Sequence, residues 1–206
     1  MNPTPQIVTL GAGRMGRGIA QVFAYAGHEI KVIDFKERDK EESLKLLANG
    51  KAEIQENLEF LVSLNVIGET EILPILDRIH WLSISDSNEA LSNADYIFEG
   101  VPELIHIKKD AIERASTLAP NDAIIASTTS TMLVTQLMQF SYYPENFLNA
   151  HFLNPAYLIP LVEVSPSDAT DQRNIDQFIH LLESIGKVPV ICKASPGYII
   201  PRFQSL

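Results

Sequence analysis

The sequence predicts an α/β domain with a doubly wound, mostly parallel sheet, and three observations support this prediction. Short apolar runs typical of buried strands alternate with segments of helical periodicity along the 206 residues. A glycine-rich turn follows the first apolar run and opens the first helical segment. The composition, 46% hydrophobic and 20% charged, is that of an ordinary globular domain. Because strands that alternate with helices join through right-handed crossovers, we expect helices on both faces of the sheet.

The predicted elements follow from this periodicity. Strands are predicted at residues 6–10, 29–34, 80–84, 95–101, 123–128, 147–153, 160–165 and 188–193. Helices are predicted at residues 14–27, 39–78, 87–93, 103–119, 133–141 and 171–185. Gly68 and Pro74 are expected to divide the second of these into a long helix and a shorter one. We expect this inserted helical hairpin, residues 36–78, to form an appendage that packs back on the domain.

Charge and cysteine content exclude several classes of function. The 26 acidic and 16 basic residues give a net charge of −10, which repels nucleic acid and acidic membrane surfaces. No apolar run approaches the roughly 18 to 20 residues that a membrane span needs. Cys192 is the single cysteine, so an internal disulfide and a cysteine-based zinc site are both excluded. The N-terminus lacks the basic segment of a secretory signal, so we expect a cytoplasmic protein that acts on a small molecule and uses no metal.

The first motif is the sequence GAGRMG, residues 11–16, at the first strand-to-helix turn. This is the context that the dinucleotide-binding fingerprint requires. Gly11 permits the tight turn, Gly13 lets the backbone approach a pyrophosphate, and Gly16 lets the helix pack against the strand. Arg14 and Met15 complete the turn, and the helix N-terminus favours the phosphate charge. A structural turn without a ligand remains an alternative.

Asp34 is the second part of the fingerprint and lies at the end of the second predicted strand, 23 residues after Gly11. A carboxylate at this position accepts hydrogen bonds from the adenosine ribose and repels a 2′-phosphate, so the sequence predicts NAD rather than NADP. Lys36 is close enough in sequence to soften this preference. A methyltransferase also combines a glycine-rich loop with a ribose-binding acid and is a second alternative.

A second constellation comprises Ser130, His151 and Glu163, which we expect at or just past the C-terminal ends of predicted strands. That edge of an open α/β sheet carries the ligand crevice. A histidine titrates near neutral pH and is suited to take a proton from a hydroxyl group. A nearby carboxylate fixes its tautomer, and a serine hydroxyl binds the reacting oxygen. From spacing alone, the better explanation of His151 is a structural histidine beside a strand.

Five segments of the chain resemble the NAD-binding domain of the L-3-hydroxyacyl-CoA dehydrogenase family across essentially the full length. They are LGAGRMGRGIAQVFAYAGHEIKVID, FEGVPELIHIKKDAIERA, IIASTTST, AHFLNPAYLIPLVEV and IGKVPVICKASPGYII. The resemblance implies a Rossmann-type fold, NAD as the cofactor and oxidation of a 3-hydroxyl group. It also implies that residues 1–194 form the NAD-binding domain. Residues 195–206 then begin a helical dimerisation domain whose remainder is absent from the chain, and the full-length parent is expected to be a homodimer.

The resemblance also implies roles for individual residues. Ser130 matches the active-site serine, which binds the substrate oxygen, His151 matches the catalytic base, and Glu163 matches the carboxylate that pairs with the base. Glu103 and Lys108 match residues that line the nicotinamide end of the cofactor site. Asn154 matches a residue of the substrate-binding loop.

Two features depart from the family pattern. Pro201 occupies the position of a substrate-binding asparagine, and proline has neither a side-chain amide nor a backbone N–H. Thr128 stands where the family has an asparagine before the serine motif. The segment with Tyr157 and Pro160 is closer to relatives that act on small hydroxy acids, such as carnitine and gulonate dehydrogenases. Three hypotheses follow: a 3-hydroxyacyl-CoA dehydrogenase, the same chemistry on a small free 3-hydroxy acid, and a non-catalytic NAD-binding module.

Overall fold

The computed structural model describes residues 4–195 and 198–200. Its strands are β1 (Ile7–Leu10), β2 (Ile30–Asp34), β3 (Ile79–Ser83), β4 (Tyr96–Glu99), β5 (Ile124–Ser127), β6 (Phe147–Phe152), β7 (Leu161–Pro166) and β8 (Val188–Ile191). Its α-helices are α1 (Arg14–Tyr25), α2 (Lys40–Ser63), α3 (Ile72–Asp77), α4 (Asn88–Ser92), α5 (Ile105–Leu118), α6 (Val134–Leu137) and α7 (Gln172–Ser184). Short 3-10 turns occur at Glu69–Glu71, Ile84–Asp86, Met138–Phe140 and Pro144–Asn146.

The strands form one sheet in the order β3-β2-β1-β4-β5-β6-β7-β8. Every neighbouring pair is parallel except β6 and β7, which are antiparallel. The predicted fold class, a doubly wound and mostly parallel α/β sheet, is confirmed. The chain leaves β1 toward β2 and later returns to β4 on the other side, so a ligand crevice is expected where β1 and β4 end.

The core lies on both faces of the sheet, as the crossover connections require. One face is centred on Phe98, whose ring lies 5.3 Å from that of Phe23 on α1 and 5.7 Å from that of Phe178 on α7. The opposite face packs apolar residues of β1, β4 and β5 against α5, with Ile97 and Ile112 fully buried. Burial of such side chains stabilises the fold by roughly 1.5–3 kcal/mol each. No helix within the described residues is long and apolar enough to cross a bilayer.

The inserted helical segment differs in detail from its prediction. The side chain of Asp39 accepts a hydrogen bond at the N-terminus of α2, which then continues for 24 residues. The helix ends before Asn65, whose φ of 56° lies in the left-handed region that stops a helix. The predicted division into a long helix and a shorter one is confirmed, and Gly68 begins the turn between them, but Pro74 lies inside the shorter helix rather than at the break. Pro74 lies in the first turn of α3, where its missing N–H group has no helical partner to lose.

Two other segments are shorter than predicted. The helix expected at residues 133–141 is the four-residue α6 followed by a 3-10 turn. The last strand ends at Ile191, two residues earlier than expected. Cys192 follows it and is buried, in agreement with the interpretation of this thiol as a core residue.

Candidate active site

A cavity of about 620 Å³ opens at the C-terminal ends of β1, β2 and β4. We call it the β1/β4 cleft, and it is lined chiefly by residues 11–15, 34–38 and 100–102. The glycines of the turn decide what fits there. A Cβ atom at Gly11, where φ is 105°, would lie 2.7 Å from the carbonyl oxygen of Gly100, and one at Gly16 would lie 1.8 Å from the oxygen of Gly11. A Cβ at Gly13 meets nothing within 4 Å, so this face of the turn is open to a pyrophosphate.

Arg14 and Met15 also line the β1/β4 cleft. Arg14 extends to a second cavity of about 310 Å³, which it shares with Arg17 of α1, with Glu53 of α2 and with Asn154. Arg17 forms an ion pair with Glu53 at 2.7 Å, whereas Arg14 has no ion pair within the described ranges of the chain. Arg14 therefore places an uncompensated positive charge where the two cavities meet.

Asp34 lies at the end of β2 with its side chain only 5% exposed. Its Oδ2 atom accepts a hydrogen bond from Nε of Arg38 at 2.9 Å, and its Oδ1 atom lies 3.4 Å from the backbone N–H of Lys36. The side-chain cation beside this carboxylate is Arg38, not Lys36, which the sequence analysis expected to soften the preference for NAD. The loop after β2 turns Arg38 back onto Asp34, and Lys36 contributes only its backbone.

A buried ion pair supports the loops after β4 and β5. The Nζ atom of Lys108 lies 2.9 and 3.0 Å from the two carboxylate oxygens of Glu99 and 3.2 Å from Oε2 of Glu103. Glu99 also accepts hydrogen bonds from the hydroxyl of Ser127 at 2.5 Å and from the N–H of Val101 at 2.9 Å. Because acidic groups enclose the Lys108 ammonium, we infer that it positions Glu103 rather than binding a ligand itself.

Glu103 holds the loop that follows β5. Its Oε1 atom accepts hydrogen bonds from the hydroxyl of Thr129, from the N–H of Ser130 at 3.1 Å, and from both the N–H and the hydroxyl of Thr131 at 3.2 and 3.0 Å. Burial opposes ionisation, but the hydrogen bonds from the two threonines and the Lys108 ammonium outweigh it and lower the pKa of Glu103. The carboxylate therefore fixes the backbone that presents Ser130.

His151 and Glu163 are paired directly across β6 and β7. The Nδ1 atom of His151 lies 2.7 Å from Oε2 of Glu163, and both side chains are buried. The carboxylate orients the ring through Nδ1, so Nε2 is the ring nitrogen that is not engaged by this contact. The expectation that Glu163 lies at the C-terminal end of its strand is wrong. It is the third residue of β7, and it reaches the active-site edge because β7 runs antiparallel to β6.

Tyr198 is a site residue that the sequence analysis did not single out. Its ring stacks on the imidazole of His151, with centroids 5.0 Å apart and planes 11° apart. Asn149 donates hydrogen bonds at 3.0 Å to the Tyr198 hydroxyl and to the carbonyl of Met132. Burial raises the pKa of the Tyr198 hydroxyl, which keeps it neutral. The available signal was its place in the segment SPGYII, which belongs to the resemblance given above.

Within the described part of the chain, the remaining predicted residues make no hydrogen bond to this pair. The side chain of Ser130 is exposed and, within the described ranges, makes no hydrogen bond to His151. Asn154 is exposed in the β6–β7 loop, three residues after His151. The Nζ atom of Lys187 is nearly enclosed beneath that loop and donates to the carbonyls of two of its residues, one of them at 2.9 Å. Pro201 lies outside the described residues.

Relatives of known class match almost the whole chain. The family described as "3-hydroxyacyl-CoA dehydrogenase, NAD binding domain" matches residues 6–195. The mitochondrial hydroxyacyl-coenzyme A dehydrogenase of Sus scrofa is 31% identical over 199 residues, which are 95% of this chain and 61% of that protein. The chain therefore spans about three fifths of the length of this relative.

Solved structures of dehydrogenases and reductases also superpose on this chain. The (S)-3-hydroxybutyryl-CoA dehydrogenase PaaH1 from Ralstonia eutropha superposes with a TM-score of 0.86 at 27% identity, over 96% of this chain and 66% of that one. A diketoreductase described as acting on dicarbonyl compounds gives 0.87 at 26% identity, over 100% of this chain and 70% of that one. The family match confirms NAD as the cofactor, which the open turn at Gly13 and the carboxylate of Asp34 fit, and it excludes the methyltransferase alternative. The chain belongs to the 3-hydroxyacyl-CoA dehydrogenase family and comprises its NAD-binding domain.

Proposed function

We propose that this chain carries the cofactor site and the catalytic base of an enzyme that oxidises the 3-hydroxyl of a 3-hydroxyacyl-CoA to a ketone. The observation that carries the proposal is the buried contact of 2.7 Å between His151 Nδ1 and Glu163 Oε2 at the active-site edge of the sheet. Relatives at about 30% identity are named for this activity and support the substrate class.

The residues divide the chemistry among them. NAD, when bound, accepts the hydride that leaves carbon 3 of the substrate. Nε2 of His151 takes the hydroxyl proton, and the Glu163 carboxylate stabilises the imidazolium that forms. Tyr198 covers one face of the imidazole and keeps water from it. The exposed hydroxyl of Ser130, on a loop fixed by Glu103, is placed to bind the reacting oxygen.

In the β1/β4 cleft, the chain supplies charge and space that are complementary to NAD. The open face at Gly13 and the N-terminus of α1 receive the pyrophosphate, where backbone N–H groups and the helix dipole favour an anion. The Asp34 carboxylate receives the adenosine ribose. Glu103, held by Lys108 and two threonines, borders the loop that faces the nicotinamide end.

Oxidation of a small free 3-hydroxy acid is the second candidate. The guanidinium of Arg14 has no ion pair in the described part of the chain and borders a cavity shared with Asn154. A free carboxylate is a natural partner for such a group. Similarity over the whole chain to a diketoreductase described as acting on dicarbonyl compounds supports this second candidate.

The test is NADH production by the purified chain with a short-chain (S)-3-hydroxyacyl-CoA and, separately, with the matching free hydroxy acid. His151→Gln is the test variant, and His180→Gln, an exposed histidine on α7, is the matched control. We expect His151→Gln to reduce turnover by about 10²–10⁴-fold and His180→Gln to leave it unchanged. Turnover by the wild-type chain at the His151→Gln level with both substrates would contradict catalysis and favour the NAD-binding module.

A further inference from the structure

We propose that Arg38 determines cofactor specificity at the adenosine end of the β1/β4 cleft. It neutralises Asp34 and offers a cation to a 2′-phosphate, so that the cleft accepts NADP as well as NAD. The inference rests on the cofactor site and not on the proposed substrate, because it is tested by binding without turnover.

The first observation is that Arg38 engages only one of the two oxygens of the Asp34 carboxylate. One oxygen, Oδ2, is taken by Nε of Arg38 at 2.9 Å, and the ion pair is well shielded, with 5% of the Asp34 side chain and 24% of the Arg38 side chain exposed. The other oxygen, Oδ1, has a single long contact of 3.4 Å to the backbone N–H of Lys36. Oδ1 is therefore free to accept a ribose hydroxyl of NAD while the ion pair stays intact.

The second observation concerns the rest of the guanidinium. Arg38 lines the β1/β4 cleft, and in the described residues only its Nε atom has a protein partner. The two terminal nitrogens keep four N–H donors, which match the oxygens of a phosphate group. Arg38 does not have to leave Asp34 to bind a 2′-phosphate, so no ion pair is lost when NADP replaces NAD.

The third observation is that the other charges of the cleft do not fill this role. Lys36 lines it but forms no ion pair with Asp34 within the described ranges, and Glu37 and Asp110 are acids that cannot neutralise a carboxylate. An unpaired Asp34 beside a phosphate would repel it strongly in a poorly solvated cleft. Pairing with Arg38 removes the net charge that produces this repulsion. An acid at this position binds the ribose 2′-hydroxyl of NAD, and a nearby arginine accommodates the 2′-phosphate of NADP. Asp34 and Arg38 supply both groups in this cleft.

The experiment is calorimetric titration of the purified 206-residue chain with NAD+ and with NADP+ at one fixed ionic strength. The variants are Arg38→Gln and, as a matched control that removes a cation from the same loop, Lys36→Gln. Circular dichroism and thermal unfolding check that each variant is folded.

We expect the wild-type Kd for NADP+ to lie within about tenfold of that for NAD+. Arg38→Gln should weaken NADP+ binding by at least about tenfold more than NAD+ binding, and Lys36→Gln should change the ratio by less than about twofold. A second variant, Asp34→Asn, should shift the ratio toward NADP+ because it removes the carboxylate. The proposal is overturned if wild type does not bind NADP+, if Arg38→Gln leaves the ratio unchanged, or if Lys36→Gln shifts it equally.

Discussion

Replacing Glu99 by glutamine should destabilise the domain far more than any surface change, although Glu99 need not touch a ligand. Its side chain is completely buried and that of Lys108 is 1% exposed, so the variant leaves a buried ammonium without its main partner. Breaking a buried ion pair from one side typically costs 3–5 kcal/mol. Two features place the expected cost of Glu99→Gln at the lower end of this range. Glutamine keeps one oxygen acceptor, and Glu103 remains 3.2 Å from the ammonium.

We therefore expect a loss of about 3 kcal/mol in the free energy of unfolding, a large part of the 5–15 kcal/mol that holds a domain folded. For a chain of this size each kcal/mol lowers Tm by roughly 2–4 °C, which predicts a fall of about 6–12 °C. The assay is urea unfolding followed by circular dichroism, with the denaturant slope checked to be unchanged.

Two controls separate the charge effect from general damage. Glu99→Gln combined with Lys108→Met removes both charges and should recover most of the lost stability, because an apolar replacement of a buried pair is often neutral. Lys109→Met removes a neighbouring, exposed lysine whose ion pair with the half-buried Glu113 is open to solvent, and should cost less than about 1 kcal/mol. A double variant as unstable as Glu99→Gln alone, or a single variant as stable as wild type, would refute the reasoning.

Four further changes have distinct expected outcomes. Gly16→Ala should destabilise the fold by at least about 1–3 kcal/mol, because its Cβ would lie 1.8 Å from a backbone oxygen. Gly13→Ala should have the urea midpoint of wild type, because its Cβ meets nothing within 4 Å, and should weaken NAD+ binding in calorimetry. Glu103→Gln should lose stability relative to wild type at pH above 4.5, the ordinary pKa of a glutamate. Because the pKa of Glu103 is lowered in the folded state, that difference should shrink as the pH falls through the lowered value, as measured by urea unfolding from pH 6 to pH 3. Tyr198→Phe should cost about 1–3 kcal/mol in the same assay because it leaves a buried Asn149 donor unpaired, and an unchanged midpoint would show that this hydrogen bond contributes nothing.

The fold was predictable because its signals are local. Strand periodicity, the glycine-rich turn and the alternation of elements each depend on a few neighbouring residues, and together they specify the doubly wound sheet. The breaks within the segment at residues 39–78 were less predictable. Proline stops a helix only in its interior, and whether Pro74 is interior depends on where α3 begins. Asn65, which marks the real end of α2, carries no comparably strong signal.

The site was predictable in its residue types and less so in its contacts. That His151 and Glu163 meet depends on the register of an antiparallel pair, which the predicted strand ends alone do not specify. The pairing of Asp34 with Arg38 depends on how a loop turns back. One missed residue did leave a signal. Glu99 is a charged residue at the end of a buried strand, and such a charge requires a partner, which Lys108 supplies nine residues later.

Glu163 links His151, the proposed catalytic base, to the polypeptide that follows the sheet. One carboxylate oxygen lies against His151, and the other accepts the backbone N–H groups of Ile199 and Ile200 at 2.7 and 2.9 Å. Tyr198, the residue before them, covers the imidazole. A displacement of residues 198–200 would therefore remove the ring that shields the base and two hydrogen bonds from the carboxylate that orients it. Because both contacts depend on the same short segment, the orientation of the base is sensitive to how that segment packs.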